Sequence, residues 1–448
     1  MKKRFLSSLL LLLLTLSASS QQIAMLDSAA YHQRMEWFAK AKLGVFIHWG
    51  IYAVKGVSES WSFYNERLSY DDYMAQCKGF TASKYDPKQW VDLIKESGAQ
   101  YTVITTKHHD GVALWDTKAG KLSIKKKTPA RRDVLTPFVN EVRRQGLRLG
   151  LYYSLLDWSH PDYPNKTKTI QRYANDEKRW QRFVDFNFSQ MRELRNLYNP
   201  DLWWFDGDWE QTAEAWHAPQ IISMLREDGR TPVINSRIQG YGDYETPEHG
   251  IPVNRPTTPY WELCQTMNDS WGYYPTDTNY KTPYMILRTF VDCLSMGGNL
   301  LIDIGPREDG TICDEQVEIL KALGRWTKKH AEAIYNTRAG IPNQYFQGYT
   351  TLNDTGDILY LYIPYRPNGM VEVKGLVSKV KRAWVVGSGE QLTYKMYNQP
   401  SWSSVPGNFY ISIPDRLLDK DITVVALQLD GPIKLYAGSG KVIDYNDN

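Results

Sequence analysis

Cysteine is scarce in this chain: its 448 residues hold four, Cys77, Cys264, Cys293 and Cys313. No two of them stand at the close spacing that a zinc site or a dithiol redox pair requires. Scattered thiols in a large domain are mostly small buried hydrophobes, so no essential disulfide is expected, even in an oxidising compartment. A surplus of one sign of charge is missing too. The balance is +3 at neutral pH, which leaves no electrostatic footprint for a nucleic-acid partner. Past the first twenty residues no apolar run is long enough to span a bilayer. Sustained repeats and low-complexity segments are absent, so the chain is not an array of like units.

What is present begins with a leader. Met1-Lys2-Lys3-Arg4 is a positive n-region, Phe5 to Leu16 an apolar h-region, and Ser17 to Ser20 a small-residue cleavage zone. This order reads as a secretory signal peptide over residues 1–20, with export to a periplasm or the exterior as the expectation. An uncleaved anchor is the lesser alternative, and no Cys follows the h-region to carry a bacterial lipid. Asn165, Asn187, Asn268 and Asn353 head Asn-x-Ser/Thr triplets, which matter in a source that glycosylates. The length exceeds what one core usually serves, so a domain of about 250 residues or more with a smaller companion is expected. The composition holds 16 Trp and 30 Tyr. Aromatic faces stack on the C–H faces of sugars, although tryptophans also fill large cores.

Hydrophobic periodicity divides the chain in two. Short β-rich runs at 42–48, 101–106, 147–153, 202–205, 232–235, 261–266 and 299–304 alternate with helical stretches at 86–97, 136–144, 176–198, 221–226, 284–296 and 314–336. Such alternation predicts a parallel sheet with crossover helices, and this many units predicts a (β/α)8-type (TIM-like) barrel over 21–340. Between Glu245 and Tyr284 the pattern is poorly defined, so one helix there is expected to be missing or replaced by loop. Past Gly340 the runs at 358–363, 371–374, 380–386, 409–413 and 422–427 are short, β-branched or aromatic, and parted by Pro, Gly, Asn or Asp. They predict a C-terminal antiparallel β-sandwich over 341–448.

In a barrel the reacting groups come from the C-terminal ends of several strands. The first strand ends His48-Trp49-Gly50, the second Lys107-His108-His109-Asp110-Gly111, the third Tyr153-Ser154, the fifth Asn235-Ser236-Arg237. The fourth ends in Asp201-Leu-Trp-Trp-Phe-Asp-Gly-Asp-Trp-Glu210, where four carboxylates interleave with three tryptophans and Asp206 stands at the opening into a Gly turn. Asp-Gly is a common turn pair and a lone His or Arg after a strand is more often a local hydrogen-bonding residue. Convergence of such residues on one rim is harder to attribute to chance, and it points to an active site.

Two chemistries fit these residue types. His48, His108, His109 and Asp206 could ligate a metal in a hydrolase, but the first strand lacks a His-x-His pair and the tryptophans would have no role. A sugar hydrolase needs two carboxylates, one to attack or activate water and one to protonate the leaving oxygen. Asp206 is the first. Glu248, in a Gly/Pro-containing loop, and Glu262, beside Trp261 in a strand-like run, both remain open for the second, with Glu248 favoured because a loop can carry its carboxyl to the rim.

Five segments in order, Lys42-Leu-Gly-Val-Phe-Ile-His-Trp-Gly50, Lys107-His-His-Asp-Gly111, Trp204-Phe-Asp-Gly207, Gly298-Asn-Leu-Leu-Ile-Asp-Ile-Gly-Pro306 with Asp309-Gly310, and Glu332-Ala-Ile-Tyr335, resemble the signature of α-L-fucosidases of glycoside hydrolase family 29. The resemblance spans nearly the whole mature chain. It implies a retaining double displacement on fucosylated glycans without metal or other cofactor, with Asp206 as nucleophile and Glu248 where several members keep the acid/base. It implies further that His48, His108 and His109 bond the sugar hydroxyls, that Phe46, Trp49 and Trp204 wall the pocket, that Arg237 and Tyr153 add contacts, and that Trp271 packs near the 6-methyl group. Many members have Glu-Trp-Tyr after the first strand, whereas this chain reads Glu59-Ser-Trp-Ser-Phe-Tyr64, which leaves the role of Glu59 open. The Ser-Trp-Ser-Phe and Asp-Tyr-x-Thr-Pro-Glu segments look more like members acting on α-1,3 and α-1,4 linkages. A non-catalytic fucose-binding protein on the same fold is the remaining alternative, and both carboxylates argue against it.

Overall fold

The structure, a computed structural model, describes residues 28–399 and 401–439; the expected leader lies outside them. Helix α1 (Ala29–Ala41) starts at Ser28, whose side chain accepts from the Tyr31 N–H, and feeds β1 (Leu43–Ile47). Six more parallel strands follow: β2 (Tyr101–Lys107), β3 (Arg148–Ser154), β4 (Leu202–Asp206), β5 (Val233–Ile234), β6 (Glu262–Thr266) and β7 (Asn299–Ile304), in the spatial order β5-β4-β3-β2-β1-β7-β6. The strands are buried almost throughout, as a parallel sheet must be when helices cover its outer face and side chains fill its interior. The covering helices are α2 (Pro87–Glu96), α3 (Leu135–Arg144), α4 (Glu177–Tyr198), α5 (Ala218–Leu225), α6 (Pro283–Ser295) and α7 (Asp314–Lys329). Helix α2 begins as its sequence dictates: the Asp86 carboxylate accepts from the Lys88 and Gln89 N–H groups and Pro87 opens the first turn.

No helix joins β5 to β6, which is where the sequence pattern falters. The gap in the wall is filled by an irregular segment. Asn235 bridges Tyr244, Glu245 bridges Trp261 and Glu248 bridges Cys264, all in parallel sense, so residues 244–248 stand where an eighth strand would and carry Glu248 to the rim.

The barrel is followed by a β-sandwich. One antiparallel sheet is built from β8 (Thr337–Ala339), β9 (Tyr349–Asn353), β10 (Ile358–Ile363), β12 (Val380–Val385) and β15 (Thr423–Leu429); the other from β11 (Met370–Val373), β13 (Tyr394–Tyr397) and β14 (Asn408–Ser412). Alternation along β10 sends Leu359, Leu361 and Ile363 into the sandwich core and Tyr360 and Tyr362 against the barrel. All four cysteines are free and buried. Among the described residues no helix is long and apolar enough to cross a membrane.

Candidate active site

Strand ends and the closing segment converge on a cavity of about 140 Å³ lined by Phe46, His48, Glu59, Trp61, His108, Tyr152, Trp204, Asp206, Trp209, Arg237, Glu248 and Trp271. Asp206 is the last residue of β4. The chain turns there through Gly207 at φ 86, where a Cβ would lie 2.5 Å from the Leu156 side chain, a turn only glycine makes cheaply. Asp206 Oδ2 accepts from the Tyr152 hydroxyl at 3.0 Å and Oδ1 from Arg237 Nη1 at 3.0 Å. Burial pushes the Asp206 carboxyl up from its ordinary range, and Arg237 and Tyr152 oppose that.

Glu248 faces the same guanidinium: its Oε2 accepts from Arg237 Nη2 at 2.6 Å, and its Oε1 lies 3.4 Å from His249 Nε2. Burial alone would raise this carboxyl, but the bonds and charges of His249 and Arg237 outweigh it and hold Glu248 at about 2. Arg237 thus forks between the two acids, with its Cζ 4.5 Å from the centre of the Trp204 ring.

Three imidazoles form the polar side. His48 Nδ1 meets Asp303 Oδ1 at 2.7 Å, His108 Nδ1 meets Ser60 Oγ at 2.6 Å, and His109 Nδ1 meets Ser154 Oγ at 2.6 Å. Burial drives all three below the ordinary histidine range, His109 to about 3, so at neutral pH they are uncharged donors and acceptors. His109 Nε2 lies 3.6 Å from Asp206 Oδ2 and is buried without a hydrogen-bond partner among the described residues. The apolar side is Phe46 against Trp204 and Trp271, at ring distances of 5.0 and 6.0 Å. Glu59, at φ 30, accepts from the Gly272 N–H at 2.7 Å and is raised by burial to about 7.

Three expected residues stand elsewhere. Trp49 does not wall the cavity: Phe46 and His48 point inward, and the alternation turns Trp49 out against Phe80, Tyr85 and Trp90, with its Nε1 donating to the Arg307 carbonyl at 2.8 Å. Tyr153 likewise faces the outer helices, its hydroxyl beside Lys107, Asn187 and Gln190, and Tyr152 takes the inward place. Glu262 opens β6 rather than ending it, so it lies below the cavity floor. There it accepts from Tyr101, from Trp204 Nε1 at 3.1 Å and from Tyr244 at 3.4 Å, and burial raises it to about 7. It supports an indole of the pocket and does not itself line the cavity. Tyr152, Trp61 and Trp209 were not singled out from sequence. Trp209 falls inside the carboxylate-rich stretch after β4, and that was its only signal. Among the described residues no group of three His, Cys, Asp or Glu is arranged to hold a metal ion.

A ligand that matches these walls offers hydroxyls to one side and hydrocarbon to the other, as a deoxy sugar does. Paired carboxylates facing it are the equipment for cleaving a glycosidic bond, and the class is glycoside hydrolase. Residues 12–332 match the family model described as Alpha-L-fucosidase. Tissue α-L-fucosidase of Mus musculus is 32% identical over 377 residues, covering 75% of this chain and 80% of that protein. The solved α-L-fucosidase isoenzyme 1 of Paenibacillus thiaminolyticus superposes with a TM-score of 0.82 at 31% identity, over 90% of this chain and 100% of that one. A family 29 α-L-fucosidase of Bacteroides thetaiotaomicron, trapped as a covalent intermediate with 2-fluoro-fucosyl fluoride, superposes at 0.78 with 27% identity over 89% of this chain and 96% of that one. The chain belongs to the α-L-fucosidase family, glycoside hydrolase family 29.

Proposed function

We propose that this protein is an exported, retaining, exo-acting α-L-fucosidase that releases terminal fucose from glycans, with α-1,3 and α-1,4 linkages preferred. The observation that carries the proposal is the pairing of Asp206 and Glu248 through Arg237 across a cavity with room for one sugar ring. Asp206 attacks the anomeric carbon while the departing oxygen takes a proton from Glu248, leaving a fucosyl ester on Asp206. Glu248 then takes a proton from water, whose oxygen displaces Asp206 and frees fucose with its configuration retained. This route needs carboxyls roughly 5–5.5 Å apart. It also needs a protonated Glu248, which a substrate supplies by drawing both His249 and Arg237 away from the carboxyl, so that burial dominates and lifts it. The imidazoles hold the hydroxyls, and Phe46 and Trp271 receive the methyl group. The trapped covalent intermediate of the Bacteroides relative supports the double displacement; the Ser-Trp-Ser-Phe and Asp-Tyr-x-Thr-Pro-Glu segments support the linkage.

Asp206→Ala should lose turnover by several orders of magnitude while still folding and binding fucose. Azide should then rescue it, giving the inverted β-fucosyl azide by NMR. Unchanged turnover in this variant would remove the nucleophile and the reading with it, and product analysis on α-1,2, α-1,3, α-1,4 and α-1,6 fucosylated oligosaccharides decides the linkage.

A further inference from the structure

A second cavity, of about 490 Å³, lies at the other end of the barrel and has no part in the reaction above. Lys42 in its wall immediately precedes β1, whereas Asp206 ends β4. Arg338, on β8, and Asp354, just past β9, form another part of the wall, so barrel and sandwich both contribute.

Lys42 is 2% exposed, and its ammonium makes no hydrogen bond or ion pair among the described residues; Asp354 acts on it only through space. The ammonium keeps contact with solvent through the cavity it lines, so it is a charge without a direct partner rather than a sealed one. The backbone there is unfavourable. Lys42 follows the last turn of α1 at φ 63, a conformation that disfavours any residue with a Cβ and that glycine would adopt freely. Burial lowers Lys42 only to about 8, so the amine remains largely cationic at neutral pH. Arg255, Arg338 and Asp354 line the same cavity, while Lys40 and Glu36 neutralise one another at 2.7 Å. The lining therefore carries an excess of positive charge around a lysine without a direct ion-pair partner.

We propose that this cavity binds a small molecule bearing a phosphate or carboxylate group, with the oxyanion seated on Lys42 and flanked by Arg255 and Arg338. Because both parts of the protein line the site, a ligand there ties the sandwich to the base of the barrel and stabilises the whole chain by mass action.

The test is thermal unfolding of the full chain titrated with inorganic phosphate or citrate, against sodium chloride at matched ionic strength. The expected result is a saturable rise in Tm of a few degrees with phosphate or citrate and none with chloride, and the anion that saturates identifies the group. In Lys42→Met the rise should vanish, with turnover of an aryl fucoside unchanged. Arg338→Ser alters an exposed side chain and should raise the half-saturating concentration several-fold; it decides the matter should Lys42→Met fail to fold. The proposal is overturned by equal responses to chloride and to the oxyanions, by an undiminished rise in Lys42→Met, or by an unchanged half-saturation in Arg338→Ser.

Discussion

At Arg237 a single guanidinium is shared by two carboxylates, 3.0 Å from Asp206 and 2.6 Å from Glu248, and this sharing bears on how both titrate. Arginine lowers each acid against the burial that raises it. Removing the cation in Arg237→Met should therefore lift both limbs of the kcat/KM profile, moving the bell toward higher pH by about 1–3 units. A bell that stays in place would mean that the pair does not depend on this residue. Two other buried acids contribute to the pH dependence of stability. Burial holds Glu262 and Glu59 at about 7, above the ordinary glutamate value. The folded chain keeps protons there that the unfolded chain releases, so their contribution is full below the ordinary value of 4.5 and is lost as pH rises through about 7. At about 1.4 kcal/mol per unit, each corresponds to roughly 3 kcal/mol. The buried histidines act in the opposite sense over the same range, so the test is the difference between parent and variant: between pH 5 and pH 8 Glu262→Gln should lose less stability in urea unfolding, or gain more, than the parent, and an identical pH response of the two would refute the assignment.

Strand alternation decides which of two adjacent tyrosines belongs to the chemistry. Tyr152 pairs in register with Trp204 on β4 and bonds Asp206, whereas Tyr153 pairs with Phe205 and faces α4. Tyr152→Phe should lower kcat/KM about 10- to 100-fold, the worth of a hydrogen bond to a charged group. Tyr153→Phe should leave kcat/KM near the parent value and lower stability by about 1 kcal/mol. Kinetics and chemical denaturation on the pair would expose the opposite ranking at once. The same alternation marks the limit of what the sequence could disclose. Strand runs, helix caps such as Asp86-Pro87, and the placing of Asp206 before a glycine follow from local chemistry and were legible. The facing of Trp49 and Tyr153 was not, because parity within an all-apolar strand leaves no polar residue to mark its outer side. Glu262 was open to a closer reading: the 261–266 run already puts it at the start of its strand, away from the rim where reacting groups gather, whereas the laying of 244–248 beside β6, which carries Glu248 to the rim, is a long-range pairing without a local signal.

The barrel and the sandwich meet along a seam, and its composition determines whether they unfold as one body. Tyr360, Tyr362 and Trp384 leave the sandwich to join the cluster around Trp326. The Trp326 Nε1 donates to the Ile422 carbonyl at 2.8 Å, Trp384 Nε1 reaches Glu332 at 3.2 Å, and Tyr362 bonds the Ala333 carbonyl. Around this apolar centre Arg325 and Lys329 hold Asp419 at 3.2 and 2.7 Å, and Arg325 also holds Asp421. Burial alone would raise Asp419, yet Lys329 and Arg325 hold it at about 2, so its contribution is full above the ordinary carboxyl value and fades only as pH falls toward about 2. Near neutrality the ionic rim and the aromatic centre act together. Of the two the centre is worth more, since truncating a buried Trp removes transfer energy and leaves a cavity, at about 3–5 kcal/mol, whereas partly exposed ion pairs contribute little. Calorimetry of the parent at pH 7 should therefore show one cooperative transition. Trp326→Ala should lower it and split it into two, with aryl-fucoside turnover at 25 °C within about twofold of the parent because this indole does not line the cavity at Asp206. Two transitions already present in the parent, or a single unsplit one in the variant, would show that the seam does not couple the two parts.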